Sequence, residues 1–257
     1  MYSFSITIFR QKEKSNFYFL KRGDGMIYVT GDMHGDESRL YDAQWRKLKS
    51  GDILIVCGDF GNLWDGGKRE KSVIDYLGSR KFTVCFVDGT HENFSKINRC
   101  HETIWKGGHV HRISGNLFHL MRGQIFNIDG ISVFTFGGGE SDDRLVRNTE
   151  ESGIWFREEL PNPDQLAEGA RNLDEAGLKV DYIITHEPPL RVKSSMLLRK
   201  GQSDSVNKLN GYFEELARSV KFNHWYFGSL HEDRLVTADY TCLFEKIIPL
   251  GSKEQPK

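Results

Sequence analysis

The chain has 257 residues, with 35 lysines and arginines against 36 aspartates and glutamates, and this length fits one α/β domain or a domain with a small appendage. Because the net charge is close to zero, the composition excludes a strong general attraction to nucleic acids or anionic membranes, and no apolar run is long enough to span a bilayer. The cysteines are scattered without a Cys-x-x-Cys pair, which favours reduced thiols in a cytoplasmic protein; they are Cys57, Cys85, Cys100 and Cys242.

The first 25 residues differ in pattern from the rest of the chain. Apolar and polar residues alternate over residues 4–8, and the segment lacks the apolar stretch and cleavage site of a signal peptide. One interpretation is an added strand or hairpin at a sheet edge. The other is that the natural chain starts at Met26, because Arg22-Gly23-Asp24 can be encoded by codons resembling a bacterial ribosome-binding site. We therefore predict an N-terminal extension over 1–25, the main domain over 26–250 and a tail over 251–257.

Three short strands alternate with two helices in the first third of the chain. The strands are predicted over residues 27–30, 53–57 and 82–87, which are apolar enough to be buried. Apolar residues at helical spacing predict helices over 37–49 and 68–79. This alternation indicates a parallel sheet with right-handed crossovers.

Polar side chains follow each of these three strands. Asp32 and His34 come after the first strand, Asp59 after the second, and the segment 88–92 after the third. Carboxyl ends of parallel strands meet at one edge of the sheet, where open α/β sheets bind their ligands. The carboxylate and imidazole of Asp32 and His34 suit a divalent transition metal such as Mn, Fe, Ni or Zn better than Ca or Mg, which favour oxygen ligands.

The middle of the chain has antiparallel character. Asp129-Gly130 is a strong hairpin signal, and four short strands are predicted around it, over 109–113, 117–122, 124–128 and 131–136. Gly137-Gly138-Gly139 follows without the lysine or helix start of a P-loop, so it predicts a tight turn near the site. Arg144 and Arg147, in the charged segment after it, are candidate phosphate contacts.

The last third of the chain returns to alternating helices and strands. A strand over 180–185 leads to His186-Glu187-Pro188-Pro189, and a strand over 224–228 leads to Ser229-x-His231. Helices are predicted over 163–176 and 204–220, and residues 235–248 predict a closing hairpin.

Five strand ends now carry polar clusters, and their order is specific. The clusters are Asp32-x-His34, Asp59, Thr90-His91, His186 and Ser229-x-His231. Over residues 26 to about 250, this series resembles the calcineurin-like metallophosphoesterase superfamily, whose pattern is Asp-x-His, Gly-Asp, Gly-Asn-His-Glu/Asp, a later Thr-His and Gly-His-x-His. The resemblance implies a four-layer α/β/β/α sandwich of two mixed sheets. Its second sheet would contain the antiparallel middle strands together with residues 182–185 and 225–228.

The resemblance also implies two metal sites. The first would be held by Asp32, His34, Asp59 and His231, all of which are present. The second would share Asp59 and use His186, but Thr90 stands where the family has Asn and Ser229 where it has His. A neutral hydroxyl is a poorer ligand than an imidazole or an amide oxygen, so we predict an intact first site and a second site that is weak, rebuilt or empty. Nearby carboxylates could compensate, namely Asp88, Glu92 and Glu187.

The chemistry that the resemblance implies is a metal-dependent phosphoesterase, in which metal-activated hydroxide attacks a phosphomonoester or phosphodiester. His91, with Glu92 as its orienting partner, resembles the family's acid that protonates the departing alkoxide. The expected substrate is a small phosphate ester or nucleotide. The alternative is a single-metal or non-catalytic binding module on the same fold, which Thr90 and Ser229 favour. Surface or packing roles are predicted for the remaining histidines: His101, His109, His111, His119 and His224.

Overall fold

The apolar runs of the sequence form 13 strands in two mixed β-sheets within the described part of the chain. The computed structural model describes residues 25–141, 155–202, 206–252 and 255–256. The strands are β1 (Ile27–Thr30), β2 (Ile53–Val56), β3 (Thr83–Phe86), β4 (His101–Trp105), β5 (Gly108–Ser114), β6 (Leu117–Leu120), β7 (Gln124–Ile128), β8 (Ile131–Phe136), β9 (Tyr182–Thr185), β10 (His224–Phe227), β11 (Arg234–Thr237), β12 (Tyr240–Cys242) and β13 (Ile248–Pro249). The α-helices are α1 (Lys68–Gly78), α2 (Phe94–Ile97), α3 (Pro163–Glu175), α4 (Leu190–Arg199) and α5 (Lys208–Ser219).

The first sheet has the order β13-β1-β2-β3-β6-β5-β4. Strands β1, β2, β3 and β6 are parallel, and the remaining pairs are antiparallel. The second sheet has the order β11-β12-β10-β9-β8-β7, with a parallel centre of β12, β10, β9 and β8. Parallel strands that follow one another in each sheet bring several carboxyl ends to a common edge.

Three apolar clusters give the molecule four layers. The central cluster lies between the sheets and joins Val29, Ile55 and Cys85 of the first sheet to Val133 and Ile184 of the second. The outer face of the first sheet packs on α1, and the outer face of the second packs on α3, α4 and α5. The predicted four-layer α/β/β/α sandwich of two mixed sheets is thus confirmed.

The segment 37–49 differs from the predicted α-helix, because it forms two 3₁₀ turns, Glu37–Tyr41 and Trp45–Lys47. Asp42, between them, has an extended backbone, and its carboxylate accepts a hydrogen bond from the backbone N–H of Gln44 at 2.6 Å. This local hydrogen bond competes with the helical one and ends the helix early. The side chain of Tyr41, which the helical pattern would bury, is exposed.

The antiparallel middle strands divide between the two sheets, whereas the sequence prediction placed them all in the second. β5 and β6 belong to the first sheet, because β6 pairs in parallel with β3, and only β7 and β8 join the second. The predicted closing hairpin is formed by β11 and β12, while β13 returns to the first sheet and pairs with β1.

Three elements have no counterpart in the sequence prediction: the short helix α2, helix α4 and strand β4. Helix α4 begins directly after Pro189, which is its N-cap and needs no backbone N–H there. Strand β4 lies at the sheet edge with mostly exposed side chains, so it lacks the apolar alternation of a half-buried strand.

The predicted extension over 1–25 lies outside the described residues, apart from Gly25. Part of the predicted tail packs on the domain, since Gly251 N donates to the Tyr226 hydroxyl and Gln255 donates to the Asp233 carbonyl. Among the described helices, none combines the length and apolarity needed to cross a bilayer.

Candidate metal centre

The loops that follow β1 and β2 are bound to each other by backbone hydrogen bonds. The N–H groups of Met33 and His34 both donate to the carbonyl of Asp59, at 2.9 and 2.7 Å, and Gly35 N donates to Phe60 O at 3.0 Å. These contacts fix the ends of neighbouring parallel strands relative to each other. The polar residues of the two strand ends therefore face the same small volume.

Four side chains converge there, and we call them the Asp–His group: Asp32, His34, Asp59 and His231. Their ligand atoms all lie within 4.8 Å of one another, and this is the one group of at least three such residues in the described ranges. Both carboxylates are buried, while the side chains of His34 and His231 are 30% and 50% exposed. The group therefore has two buried carboxylates on its inner side and two imidazoles on a side that solvent or a substrate can reach.

Four distances within the Asp–His group fit one coordination shell. The Nε2 atoms of His34 and His231 are 2.9 Å apart, and His231 Nε2 lies 3.1 Å from Asp32 Oδ2. His34 Nε2 is 3.7 Å from Asp59 Oδ2 and 3.9 Å from Asp32 Oδ2. Donors about 2.1 Å from a metal ion are about 3.0 Å apart at a right angle and about 4.2 Å apart across the ion. All four distances are compatible with these limits, and two ring nitrogens this close need a proton or a cation between them.

Backbone amides hold both carboxylates in place. Ser229 N donates to both oxygens of Asp32, at 3.1 and 3.0 Å, and the N–H groups of Thr90 and His91 donate to Asp59 Oδ1 at 2.5 and 2.8 Å. A Cβ at Gly228 would lie 2.0 Å from Asp32 Oδ1. A side chain at that glycine would therefore prevent the close approach of backbone to carboxylate.

Four residues of the site have an unfavourable backbone conformation. Seven non-glycine residues in the described ranges have a positive φ, and four of them belong to the site: His34 (48°), Asp59 (41°), Ser229 (66°) and His231 (51°). L-residues adopt this region at a cost that the surrounding structure must offset, and such residues cluster at functional sites. The residues with a strained backbone therefore lie in the same loops as the converging side chains.

Electrostatics keep the carboxylates of the site ionised. Burial alone would raise the pKa of Asp32, but His186 and His231 outweigh burial and lower it. For Asp59 the opposing groups are His186 and His91, and its pKa falls well below the usual range. Burial lowers the pKa of His34 despite the two nearby carboxylates, which favours the neutral imidazole that metal binding requires.

His91, the predicted acid, lies beside Asp59. Its Nδ1 is 2.9 Å from Asp59 Oδ2 and 3.1 Å from Thr90 Oγ1, and its side chain is half exposed. Because Nδ1 faces Asp59, proton transfer to a leaving group would use Nε2.

Glu92, the predicted orienting partner of His91, has a different role in the structure. Its buried carboxyl accepts hydrogen bonds from Phe60 N at 2.6 Å and Gly61 N at 3.3 Å, so it fixes the loop after β2. Burial, together with the charge of Asp59, raises its pKa well above the usual range. The side chain that orients His91 is Asp59, and sequence adjacency pointed to the wrong carboxylate.

Apart from the shared Asp59, the predicted second-site residues lie beside the Asp–His group without joining it. His186 is buried, and its Nδ1 lies 3.2 Å from the Cys57 carbonyl, which can only accept. Its Nε2 is 3.6 Å from Asp59 Oδ1. Burial would lower the pKa of His186, but Asp59 and Asp32 raise it to about 10. The hydroxyl of Thr90 lies 3.4 Å from Asp59 Oδ1, and Ser229 Oγ donates to Glu187 Oε1 at 3.0 Å.

One cationic side chain at the site, that of Arg39, was not predicted from the sequence. Arg39 donates to the backbone carbonyl of Asp32, to Thr30 Oγ1 at 2.8 Å and to Phe244 O at 2.9 Å. It joins the end of β1 to the loop after β12 and so positions Asp32. Its place in a segment expected to be an ordinary surface helix gave no signal of this contact.

Asp88 is paired with other side chains and does not belong to the Asp–His group, so it does not compensate at the second site. Its carboxylate is buried and accepts a hydrogen bond from Arg122 Nε at 2.9 Å, and His119 Nε2 lies 3.0 Å from its other oxygen.

His111 stacks on His119, with ring centroids 5.3 Å apart. These two histidines pack between strands, as does the buried His224, whereas His101 and His109 are exposed. Arg144 and Arg147, the candidate phosphate contacts, lie outside the described residues.

Comparison with known proteins identifies the family. A search of curated proteins returned no match. Among solved structures, a phosphopantetheinyl hydrolase from Mycobacterium tuberculosis is similar, with 16% sequence identity and a TM-score of 0.39, over 82% of this chain and 84% of that one. A family model described as calcineurin-like phosphoesterase matches residues 25–239. Because this match spans most of the chain and all four residues of the Asp–His group, the chain belongs to the calcineurin-like phosphoesterase family.

Proposed function

We propose that this protein is a metal-dependent phosphoesterase that hydrolyses a small phosphate ester or a nucleotide, with manganese as its working metal. The observation that carries the proposal is the convergence of the Asp–His group, whose ligand atoms lie within 4.8 Å of one another. Two carboxylates and two imidazoles match the oxygen and nitrogen ligands that Mn, Fe, Ni and Zn accept. The four unpaired cysteines support a cytoplasmic setting for this activity.

Each residue of the centre has a separate task in this proposal. When bound, a divalent ion supplies a Lewis acid that polarises the phosphate and makes hydroxide available near neutral pH. Asp32 and Asp59 provide the buried negative charge that binds the cation, and His34 and His231 complete its ligands. His91 would hold a proton on Nε2 for the leaving oxygen, because the contact of its Nδ1 with Asp59 stabilises the protonated ring.

A single-metal or non-catalytic binding module on the same fold is the second candidate. It is favoured by Thr90 and Ser229, whose hydroxyls are engaged with Asp59 and Glu187. This module would bind a phosphate-containing ligand through the Asp–His group without turnover.

His91→Gln tests the enzyme proposal through the leaving group. We expect the variant to lose about 10²–10⁴-fold in kcat on phenyl phosphate esters and much less on p-nitrophenyl esters, whose leaving group needs no proton. The measurement is Mn-dependent hydrolysis of monoesters and diesters of both alcohols, with His101→Gln as the exposed control. Turnover that persists after chelation of the metal would contradict the proposal, as would equal losses on both leaving groups. No turnover in the metal-loaded parent protein would favour the binding module.

A further inference from the structure

A buried ion pair lies beside the centre, at the position of the altered second site. Glu187 follows β9, and its Oε2 accepts from Lys193 Nζ at 2.8 Å and from Asn210 Nδ2 at 2.9 Å. Its Oε1 accepts from Ser229 Oγ at 3.0 Å. Asn210 also donates to the carbonyl of Pro188 at 2.9 Å. We call Glu187, Lys193, Asn210 and Ser229 the Glu–Lys network.

The burial of this network indicates a specific role. Glu187 is 4% exposed, Lys193 5% and Asn210 0%. Burying an ammonium and a carboxylate costs several kcal/mol per ion unless each has a close partner and further hydrogen bonds. The three parts come from different elements, with Lys193 on α4 and Asn210 on α5. Their arrangement therefore depends on tertiary packing around Glu187.

The hydroxyl groups at the two altered positions, which a second cation would need as ligands, are engaged with other side chains. Ser229 stands where the family pattern has an imidazole, and its hydroxyl proton is directed at Glu187. Its backbone N–H is committed to Asp32. Thr90, the other altered position, has its hydroxyl within 3.4 Å of Asp59 and 3.1 Å of His91.

The remaining candidates for a second site do not assemble around an ion. In the described part of the chain, the group of carboxylates and imidazoles in mutual ligand reach includes neither His186 nor Glu187. Asp88 is paired with Arg122, and Glu92 is engaged with backbone amides. The residues present therefore do not fit the second ion of the family's two-metal pattern.

We propose that the Glu–Lys network replaces a second metal ion, with Lys193 as the fixed cation, so that this chain holds one divalent ion in the Asp–His group. The inference rests on the proposed function, because it concerns the same centre. A covalently attached ammonium cannot dissociate, so the counter-charge of the buried Glu187 carboxylate does not depend on metal supply.

The metal stoichiometry of the full chain tests the inference directly. Purified protein is titrated with Mn²⁺ and examined by equilibrium dialysis and electron paramagnetic resonance. We expect one tightly bound Mn per chain, with the spectrum of an isolated ion. Two tightly bound ions with an exchange-coupled spectrum would overturn this inference and leave the phosphoesterase proposal intact. No bound ion would overturn both, and one bound ion without turnover would support this inference and contradict the enzyme proposal.

A pair of variants tests the role of Lys193. Lys193→Met leaves the Glu187 carboxylate without its counter-ion, and we expect it to bind a second Mn at least about tenfold more tightly than the parent does. In the Glu187→Gln/Lys193→Met double variant this gain should be absent, because the unpaired charge is removed as well. A folded Lys193→Met protein with unchanged metal binding would overturn the assignment of Lys193. If Lys193→Met does not fold, two tightly bound ions in the parent protein would still overturn the inference.

Discussion

Asp59→Asn should lower the kcat of Mn-dependent phosphoester hydrolysis by at least about 100-fold. Loss of a residue that only hydrogen-bonds to a metal ligand already lowers metal affinity or activity by about 10- to 100-fold, and Asp59 is itself a proposed ligand. The amide oxygen of Asn can still accept the hydrogen bonds that Thr90 N and His91 N donate to Oδ1. The amide nitrogen would replace Oδ2, which faces the imidazoles of His34 and His91. A group that carries hydrogens and no charge cannot bind a cation there.

The control for Asp59→Asn comes from the neighbouring motif. Asp36 accepts a hydrogen bond from Ser38 N as the cap of a 3₁₀ turn, and it does not belong to the Asp–His group. Asp36→Asn should retain both turnover and Mn affinity, measured by steady-state kinetics and calorimetric titration. A folded Asp59→Asn variant with parental turnover would refute the metal centre as the catalytic site.

Arg122→Met should destabilise the fold by about 3–5 kcal/mol, because it leaves a buried carboxylate without its counter-ion. The guanidinium of Arg122 donates two hydrogen bonds to Asp88 and one each to the backbone carbonyls of Glu158 and Glu159, at 2.7 and 3.2 Å. All of these acceptors lose the hydrogen bonds that Arg122 donates, while the Glu159 carbonyl keeps the one from Gly139 N at 3.0 Å. The measurement is the free energy of unfolding in urea.

A double-mutant cycle separates the ion pair from the packing of Arg122. Asp88→Asn/Arg122→Met should cost less than the sum of the single changes, because the second substitution removes the orphaned charge. Arg171→Met, an exposed arginine on α3, should stay within about 0.5 kcal/mol of the parent. Strict additivity of the two buried substitutions would contradict a coupled pair.

The same pair predicts how stability depends on pH. Burial alone would raise the pKa of Asp88, but Arg122 and His119 outweigh burial and lower it. The stabilisation is therefore complete above the usual carboxyl pKa of about 4 and is lost as the pH falls through the lower pKa of the folded state. In Arg122→Met this acid dependence should shrink.

The polar residues that follow the predicted strands were sufficient to locate much of the candidate site from the sequence. Short apolar runs define β1 and β2, and parallel pairing brings Asp32, His34 and Asp59 to one edge. The position of His231 required the family pattern, because β10 belongs to the other sheet and only tertiary packing brings its loop to Asp32.

The features that sequence reasoning missed are contacts of polar residues with loops. Arg39 lies in a segment predicted as a helix, and nothing in its neighbours along the chain indicates its contact with Phe244. Lys193 lies in a segment with no predicted element, and its pairing with Glu187, six residues earlier, depends on the turn between β9 and α4. Glu92 follows His91 directly, yet its carboxyl turns to the amides of Phe60 and Gly61. Hydrophobic periodicity carries no information about such partners, since they are determined by how the loops pack.

The proposed function requires a cation within the Asp–His group. The decisive measurement is anomalous diffraction at the manganese edge from crystals grown with Mn²⁺. We predict one strong peak about 2.1 Å from the ligand atoms of Asp32, His34, Asp59 and His231. A map from metal-saturated crystals with no peak among these four side chains would contradict it.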